Sequence, residues 1–300
     1  MEKPFILHMF TPVRQMSPFD INMAYDAGYN AVIPYTDVTL DQITGLVQDA
    51  IFSRGPKGVK RTGIFIAGRD IALAADMLDL ARRAMVPPFE VSVFADPSGA
   101  FTTAAAMVAC VERQLRKTHQ TDLKGRDVLV LGGTGPVGMA AAVLAADAGA
   151  NVRIGSHSSP DRARIASEMA NARYGARTVA ADASKADNLA ELLNQTEVIM
   201  SAAKAGVQVL SEAQVSSAKR LLVAADVNAV PPAGIAGIGA MDDGINIKTH
   251  SPKTVGIGAL AIGNVKYQVE RGLFETMLQA EKAVYLDFRD AFMLARKHAA

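Results

Sequence analysis

Three hundred residues, half of them hydrophobic, supply enough apolar material for two domains with substantial cores. With 31 basic against 30 acidic side chains the net charge is +1 and no long run of one sign occurs, so the footprint of a nucleic-acid or membrane-surface binder is excluded. Cys110 is the only cysteine, which excludes an internal disulfide or a cysteine metal cluster; in the Ala-rich run TTAAAMVACVERQLRK it reads as a buried, inert thiol.

The N-terminal MEKPFILHMF is too short an apolar run for a signal peptide. No stretch approaches the roughly 18 unbroken apolar residues of a membrane span, so the expectation is a soluble, cytoplasmic protein. Strand-like runs at 5–10, 30–35, 63–67 and 91–95 alternate with helical patterns at 18–27, 40–54, 71–85 and 101–117. Four such β-α units predict an α/β domain with a parallel sheet covered on both faces. Ser17 and Thr39 stand where N-caps belong, and Asp20 and Gln42 three residues on resemble capping boxes, Asp being the weaker partner.

The polar segment 118–125 marks a boundary, giving a first domain over 1–120 and a second over 121–264. The second domain opens with Arg126 to Ala148, RDVLVLGGTGPVGMAAAVLAADA, an apolar strand running into G-x-G-x-x-G at Gly133, Gly135 and Gly138 and then an Ala-rich helix. A dinucleotide requires this order: the first glycine for the turn, the second for backbone approach to the pyrophosphate, the third for helix–strand packing. Phosphates then meet the N–H groups of the helix start, so Gly133, Thr134, Gly135, Pro136, Val137 and Gly138 form the candidate cradle. Further strands are expected at 151–154, 177–181, 197–201 and 220–225, with helices at 161–174 and near Leu189 and Glu212, the logic of a Rossmann half with extensions. A glycine-rich region over 231–263 leads to a helical segment, 265–300, expected to return to the first domain.

An NAD-selective site carries Asp or Glu about 20 residues beyond the loop. Here the strand ends in Ser156, His157 and Ser158 with Arg162 close behind, a set that tolerates a 2′-phosphate and favours NADP with NAD also accepted. At the carboxyl ends of later strands, Ser201, Ala202 and Ala203 leave room for the nicotinamide riboside, and the backbone near Asn228 could hold the carboxamide; the same residues also suit tight turns. In the first domain Asp20, Asp70, Asp96, Ser98 and Thr102 each follow a strand or open a helix, as substrate groups or as caps. Lys266, after GIGALAIGN, reads as a cation in a glycine-rich turn before the last helix. Metal-ligand spacing and a G-x-S-x-G elbow are both missing; hydride transfer needs neither, only two flat rings in proximity and orientation.

GRDVLVLGGTGPVGMAAAVLAADAGANV, DPSGAFTTAAA, ADVNAVPPAGIAGI, GIGALAIGNVK, SPFD and FSRG together resemble the NAD(P)-dependent methylene-tetrahydromethanopterin dehydrogenases of methylotrophic and related bacteria, over nearly the whole chain. The resemblance implies hydride transfer from the one-carbon bridge of a reduced pterin to nicotinamide C4, as in formaldehyde oxidation, yielding a methenyl cation without a metal. It implies Lys266 and Asp20 as catalytic groups and Asp96, Ser98, Thr102 and Asp70 as substrate-binding ones. Methylene-tetrahydrofolate dehydrogenase, a shikimate- or quinate-type dehydrogenase and a non-catalytic NAD(P) sensor are the alternatives, although the first-domain motifs lack the lysine that a shikimate-type acid–base pair needs. A homo-oligomer is expected from the Ala- and Gly-rich stretches.

Overall fold

The computed structural model describes residues 3–300. The chain forms two compact units: one takes the chain through Thr102 together with Tyr267–Leu294, the other takes Thr103–Lys266 with Ala295–Ala300. The elements in order are β1 (Ile6–Phe10), α1 (Pro18–Ala27), β2 (Ala31–Tyr35), α2 (Ile43–Phe52), α3 (Gly55–Val59), β3 (Thr62–Ile66), α4 (Ile71–Arg83), β4 (Ser92–Ala95) and α5 (Ala100–His119). They continue with β5 (Asp127–Leu131), α6 (Pro136–Asp147), β6 (Asn151–Ser156), α7 (Pro160–Tyr174), β7 (Thr178–Asp182), α8 (Ala186–Gln195), β8 (Val198–Ser201), α9 (Glu212–Ser217) and β9 (Val223–Asp226). The last are β10 (Asp243–Asn246), β11 (Val255–Ile257), α10 (Ala259–Gln279), β12 (Tyr285–Leu286) and α11 (Phe288–His298). The changeover between units falls inside α5, at Thr102/Thr103, where the polar residues of the sequence suggest 120/121.

In the first unit five parallel strands lie in the order β2-β1-β3-β4-β12. Every residue of β3 and β4 is buried, which is why both read as unbroken apolar runs and not as alternating ones. Of the C-terminal segment, Tyr267–Leu294 is part of this unit: Tyr285 pairs with Val93, and Phe274 of α10 packs its ring 5.3 Å from both Phe65 and Phe94 and 6.1 Å from Tyr29. Segment 265–297, which reads as helical throughout, is therefore two helices separated by the short strand β12.

In the second unit seven strands lie in the order β10-β11-β9-β8-β5-β6-β7. Six are parallel and run 3-2-1-4-5-6 from β7 to β11, a complete doubly wound dinucleotide sheet; β10 adds antiparallel at the edge. The sixth parallel strand, β11, and its neighbour β10 lie in the glycine-rich region 231–263, where the sequence offers no strand signal. Their three and four residues are too short to show a period; ladder bonds to β9 hold β11 in place, and β11 in turn holds β10.

Phe274 is fully buried at the junction of three aromatic rings. Phe274→Ala should therefore cost the first unit about 3–5 kcal/mol, measured by urea unfolding; a loss below about 1 kcal/mol would show that this cluster is not the core.

Candidate active site

The glycine loop joins β5 to α6 at the point where the strand order of the second sheet reverses, between β5 and β8. The turn itself is made by Gly132, one residue before the motif's first glycine: its φ is +75°, and a Cβ there would stand 2.5 Å from the carbonyl oxygen of Ala202. Gly133, predicted as the turn residue, instead packs on β6, where a Cβ would meet Ile154 Cγ2 at 2.8 Å. At Gly138 a Cβ would strike the Gly132 oxygen at 2.5 Å, so the third glycine sets the helix–strand approach as expected.

Gly135 differs. It is the N-cap of α6, its N–H donates to the Gly132 carbonyl at 3.0 Å, and an added Cβ would meet only that carbonyl oxygen, at 3.4 Å. The protein's own packing does not demand glycine there, while a pyrophosphate approaching the backbone does. Pro136 at the first helical position removes an N–H that has no intrahelical partner, leaving those of Val137 and Gly138 at the helix start. Thr134 lies in the same half-buried loop. The residues present thus fit a dinucleotide pyrophosphate.

At the end of β6 the buried Ser156 hydroxyl accepts the N–H groups of Ser158 (3.4 Å) and Ser159 (3.3 Å), which shapes the turn. Ser159, absent from the sequence expectations, caps α7 by accepting the Arg162 N–H at 3.3 Å. Arg162 Nη1 in turn donates to Ser158 Oγ at 3.3 Å, so a guanidinium, a hydroxyl and the start of a fifteen-residue helix converge on the exposed end of β6, beside exposed His157.

Ser201, at the end of β8, is buried, with Ala202 and Ala203 half-buried beyond it. The Asn228 side chain is committed to the fold: Oδ1 accepts from the N–H of Gly206 (3.1 Å) and Val230 (3.0 Å), and Nδ2 donates to the Pro232 carbonyl at 2.9 Å. Asp226 anchors the same loop by accepting the N–H groups of Asn228 and Ile235, each at 3.1 Å. Burial raises its carboxyl above the ordinary aspartate range, and those bonds oppose the rise.

In the first unit a cavity of about 560 Å3 opens on the loops following β1 and β3, where that sheet's order reverses. Asp20 on α1, only 2 % exposed, and Ser98 line it. Ser17 occupies the N-cap of α1 but makes no side-chain cap bond, so the Ser17–Asp20 capping box does not form; Asp20 turns inward instead. At Thr39 the box does form, the Thr39 N–H donating to Gln42 Oε1 at 2.9 Å. Ser98, at φ 55°, donates its hydroxyl to the Gly68 carbonyl at 2.6 Å. Asp70 is exposed and acts as the N-cap of α4, accepting from the N–H groups of Ala72 (2.8 Å) and Leu73 (3.1 Å). Asp96 and Thr102 are fully buried together: Asp96 accepts the Thr102 hydroxyl at 2.5 Å and the Phe101 N–H at 2.8 Å, capping α5. Arg14 and Arg69, in loops without a motif to mark them, also line the cavity.

Lys266 lies within α10, not in a turn before it. The helix starts at Ala259 and runs through Gly263, because Ile262, Val265 and Val269 at helical spacing are buried and outweigh a single glycine with open space beside it.

Residues 18–98 match the family described as methylene-tetrahydromethanopterin dehydrogenase, N-terminal. The whole chain is 48% identical over 290 residues to an NAD(P)-dependent methylenetetrahydromethanopterin dehydrogenase of Methylorubrum extorquens, covering 97% of each. The chain belongs to this family. A second relative from that organism, the bifunctional protein MdtA, is 32% identical over 98% of this chain and 99% of its own length. Among solved structures, shikimate 5-dehydrogenase from Listeria monocytogenes in complex with shikimate and NAD superposes with a TM-score of 0.53 and 12% identity over 93% of each chain, which establishes a shared α/β dehydrogenase fold alone.

Two glycine variants separate packing from ligand contact. Gly135→Ala should fold within about 1 kcal/mol of wild type yet lose roughly tenfold or more in NADPH affinity, whereas Gly138→Ala should lose both; thermal unfolding and NADPH fluorescence titration read the two effects. Unchanged NADPH affinity in Gly135→Ala would remove the pyrophosphate from this loop.

Proposed function

We propose that the protein oxidises 5,10-methylene-tetrahydromethanopterin to the methenyl form, with hydride passing to NADP or NAD. The observation that carries the proposal is 48% identity across 97% of the chain to a dehydrogenase of that name, combined with a glycine loop whose second glycine leaves room for a phosphate. This support favours the methanopterin reaction over the tetrahydrofolate, shikimate-type and sensor readings.

Nicotinamide, when bound, supplies the hydride acceptor, and the protein's work is placement and electrostatics. As hydride leaves, positive charge grows on the bridging carbon and its two nitrogens, so a carboxylate near that carbon lowers the barrier and a cation too close raises it. Asp20, buried in the wall of the first unit's cavity, suits the first role. Lys266 is assigned by the family resemblance to hold or polarise the pterin at a distance from the reacting carbon. Ser98 belongs to the substrate wall, while Asp96 and Thr102 act through the start of α5 and Asp70 through the start of α4.

Both cofactors are accepted in this reading because the end of β6 offers no carboxylate against a 2′-phosphate and no dense basic cluster that requires one. Arg162 with Ser158 is the set that would meet the phosphate. Arg162→Ala should raise KM for NADP roughly tenfold, about 1.4 kcal/mol, and leave KM for NAD within about twofold.

The test is absorbance at the methenyl-pterin band with methylene-tetrahydromethanopterin or methylene-tetrahydrofolate and each cofactor in turn. Rapid methenyl formation with the methanopterin substrate is expected, and absence of turnover with either pterin despite cofactor binding contradicts the proposal.

A further inference from the structure

The cavity of the first unit is charged asymmetrically. Its buried acid is Asp20, and its exposed rim carries the guanidinium groups of Arg14, in the loop after β1, and Arg69, in the loop after β3. Neither arginine has a hydrogen-bond or carboxylate partner among the described residues. Several arginines elsewhere pair with carboxylates: Arg126 with Glu197 at 2.9 Å, Arg153 with Asp127 at 3.3 Å, Arg164 with Glu168 at 3.0 Å, Arg271 with Glu275 at 2.8 Å and Arg296 with Glu112 at 2.6 Å. Two unpaired guanidiniums on one cavity, at the strand-order reversal where α/β sheets bind ligands, form an anion site in waiting.

We propose that Arg14 and Arg69 bind the acidic tail of the pterin substrate and select acid-tailed over uncharged pterins. The inference rests on the pterin reading above. Pterins of the methanopterin and folate kind join a flat, uncharged ring to a long tail that ends in carboxylate or phosphate. Asp20 repels such a group, so the tail leaves the cavity on the guanidinium side. The planar fork of arginine matches carboxylate and phosphate alike through two parallel N–H···O bonds, which lysine cannot reproduce. Because both arginines are exposed in the unliganded protein, the gain comes on binding, when substrate covers them and two forks act on one anion. The loops of β1 and β3, neighbours in the sheet, bring together side chains remote in sequence.

The test compares wild type, Arg14→Ala, Arg69→Ala, Arg14→Lys and the double alanine variant at saturating NADP. Four substrates are used: methylene-tetrahydromethanopterin, its dephosphorylated form, methylene-tetrahydrofolate, and the methylene adduct of 6-(anilinomethyl)-tetrahydropterin, which keeps both bridging nitrogens but has no acidic tail. Each alanine variant should reduce the preference for acid-tailed over tailless pterin, read as a ratio of kcat/KM, by roughly tenfold or more, as expected for loss of a charge-assisted hydrogen bond. Arg14→Lys should fall between wild type and Arg14→Ala. The wild-type KM for tailed substrate should rise with salt, and that slope should flatten in the double variant. Loss with the intact methanopterin substrate but not with the folate identifies phosphate as the anion; loss with the folate substrate as well identifies carboxylate, and the dephosphorylated substrate, whose tail carries neither, should behave as the tailless pterin. An active wild type whose variants keep the full preference, lose both substrate classes equally, or lose NADP affinity instead overturns the arginine assignment alone. A wild type inert with every pterin overturns the dehydrogenase reading and this inference with it.

Discussion

The second unit depends on one steric constraint, the contact between the turn at Gly132 and the backbone of Ala202. A Cβ at 132 would lie 2.5 Å from the Ala202 oxygen, and one at 138 would lie 2.5 Å from the Gly132 oxygen. Three stretches of backbone, from the ends of β5 and β8 and the start of α6, are thereby stacked with no side chain between them. That stacking fixes where α6 begins and which of its N–H groups lie open. The first domain-like unit obeys a different constraint, burial: strands with every residue inside must be covered on both faces, and α10 supplies part of that cover through Phe274.

The rest of the candidate site follows from what buried polar groups must do. A carboxylate or amide removed from water needs partners, and most of those at the sheet ends find them in the nearby backbone. Asp226 and Asn228 brace one loop, Asp96 and Thr102 cap α5, and Asp70 caps α4. These bonds shape the ends of the sheets. Groups whose chemistry faces outward are fewer: the glycine cradle, the Ser158–Arg162 pair, and Arg14 and Arg69 on the rim of the cavity.

Much of this was legible in the sequence, for identifiable reasons. Helix α1 matches its predicted bounds, 18–27, because proline opens it and Gly28, at φ 113°, closes it, both local signals. The strand–glycine–helix order at β5 and α6 is equally local. Illegible features are those decided by pairing: β11 and β12, three and two residues long, are strands only because β9 and β4 accept them. The motif points to Gly133 as the turn glycine, one residue away from Gly132, whose positive φ accompanies a contact with Ala202 far along the chain. Arg14 and Arg69 look like ordinary loop arginines until the strand order places β1 beside β3. The glycines around Lys266 read as a turn, although the buried residues there keep helical spacing.

The central claim is direct hydride transfer between a reduced pterin and a dinucleotide held on the glycine loop. Turnover of methylene-tetrahydromethanopterin deuterated at the one-carbon bridge, followed by proton NMR of the reduced nicotinamide, tests it most directly. The account predicts one deuterium per turnover at nicotinamide C4, on a single face. Solvent hydrogen at that position, or reduced nicotinamide that does not appear with the methenyl product, would contradict it.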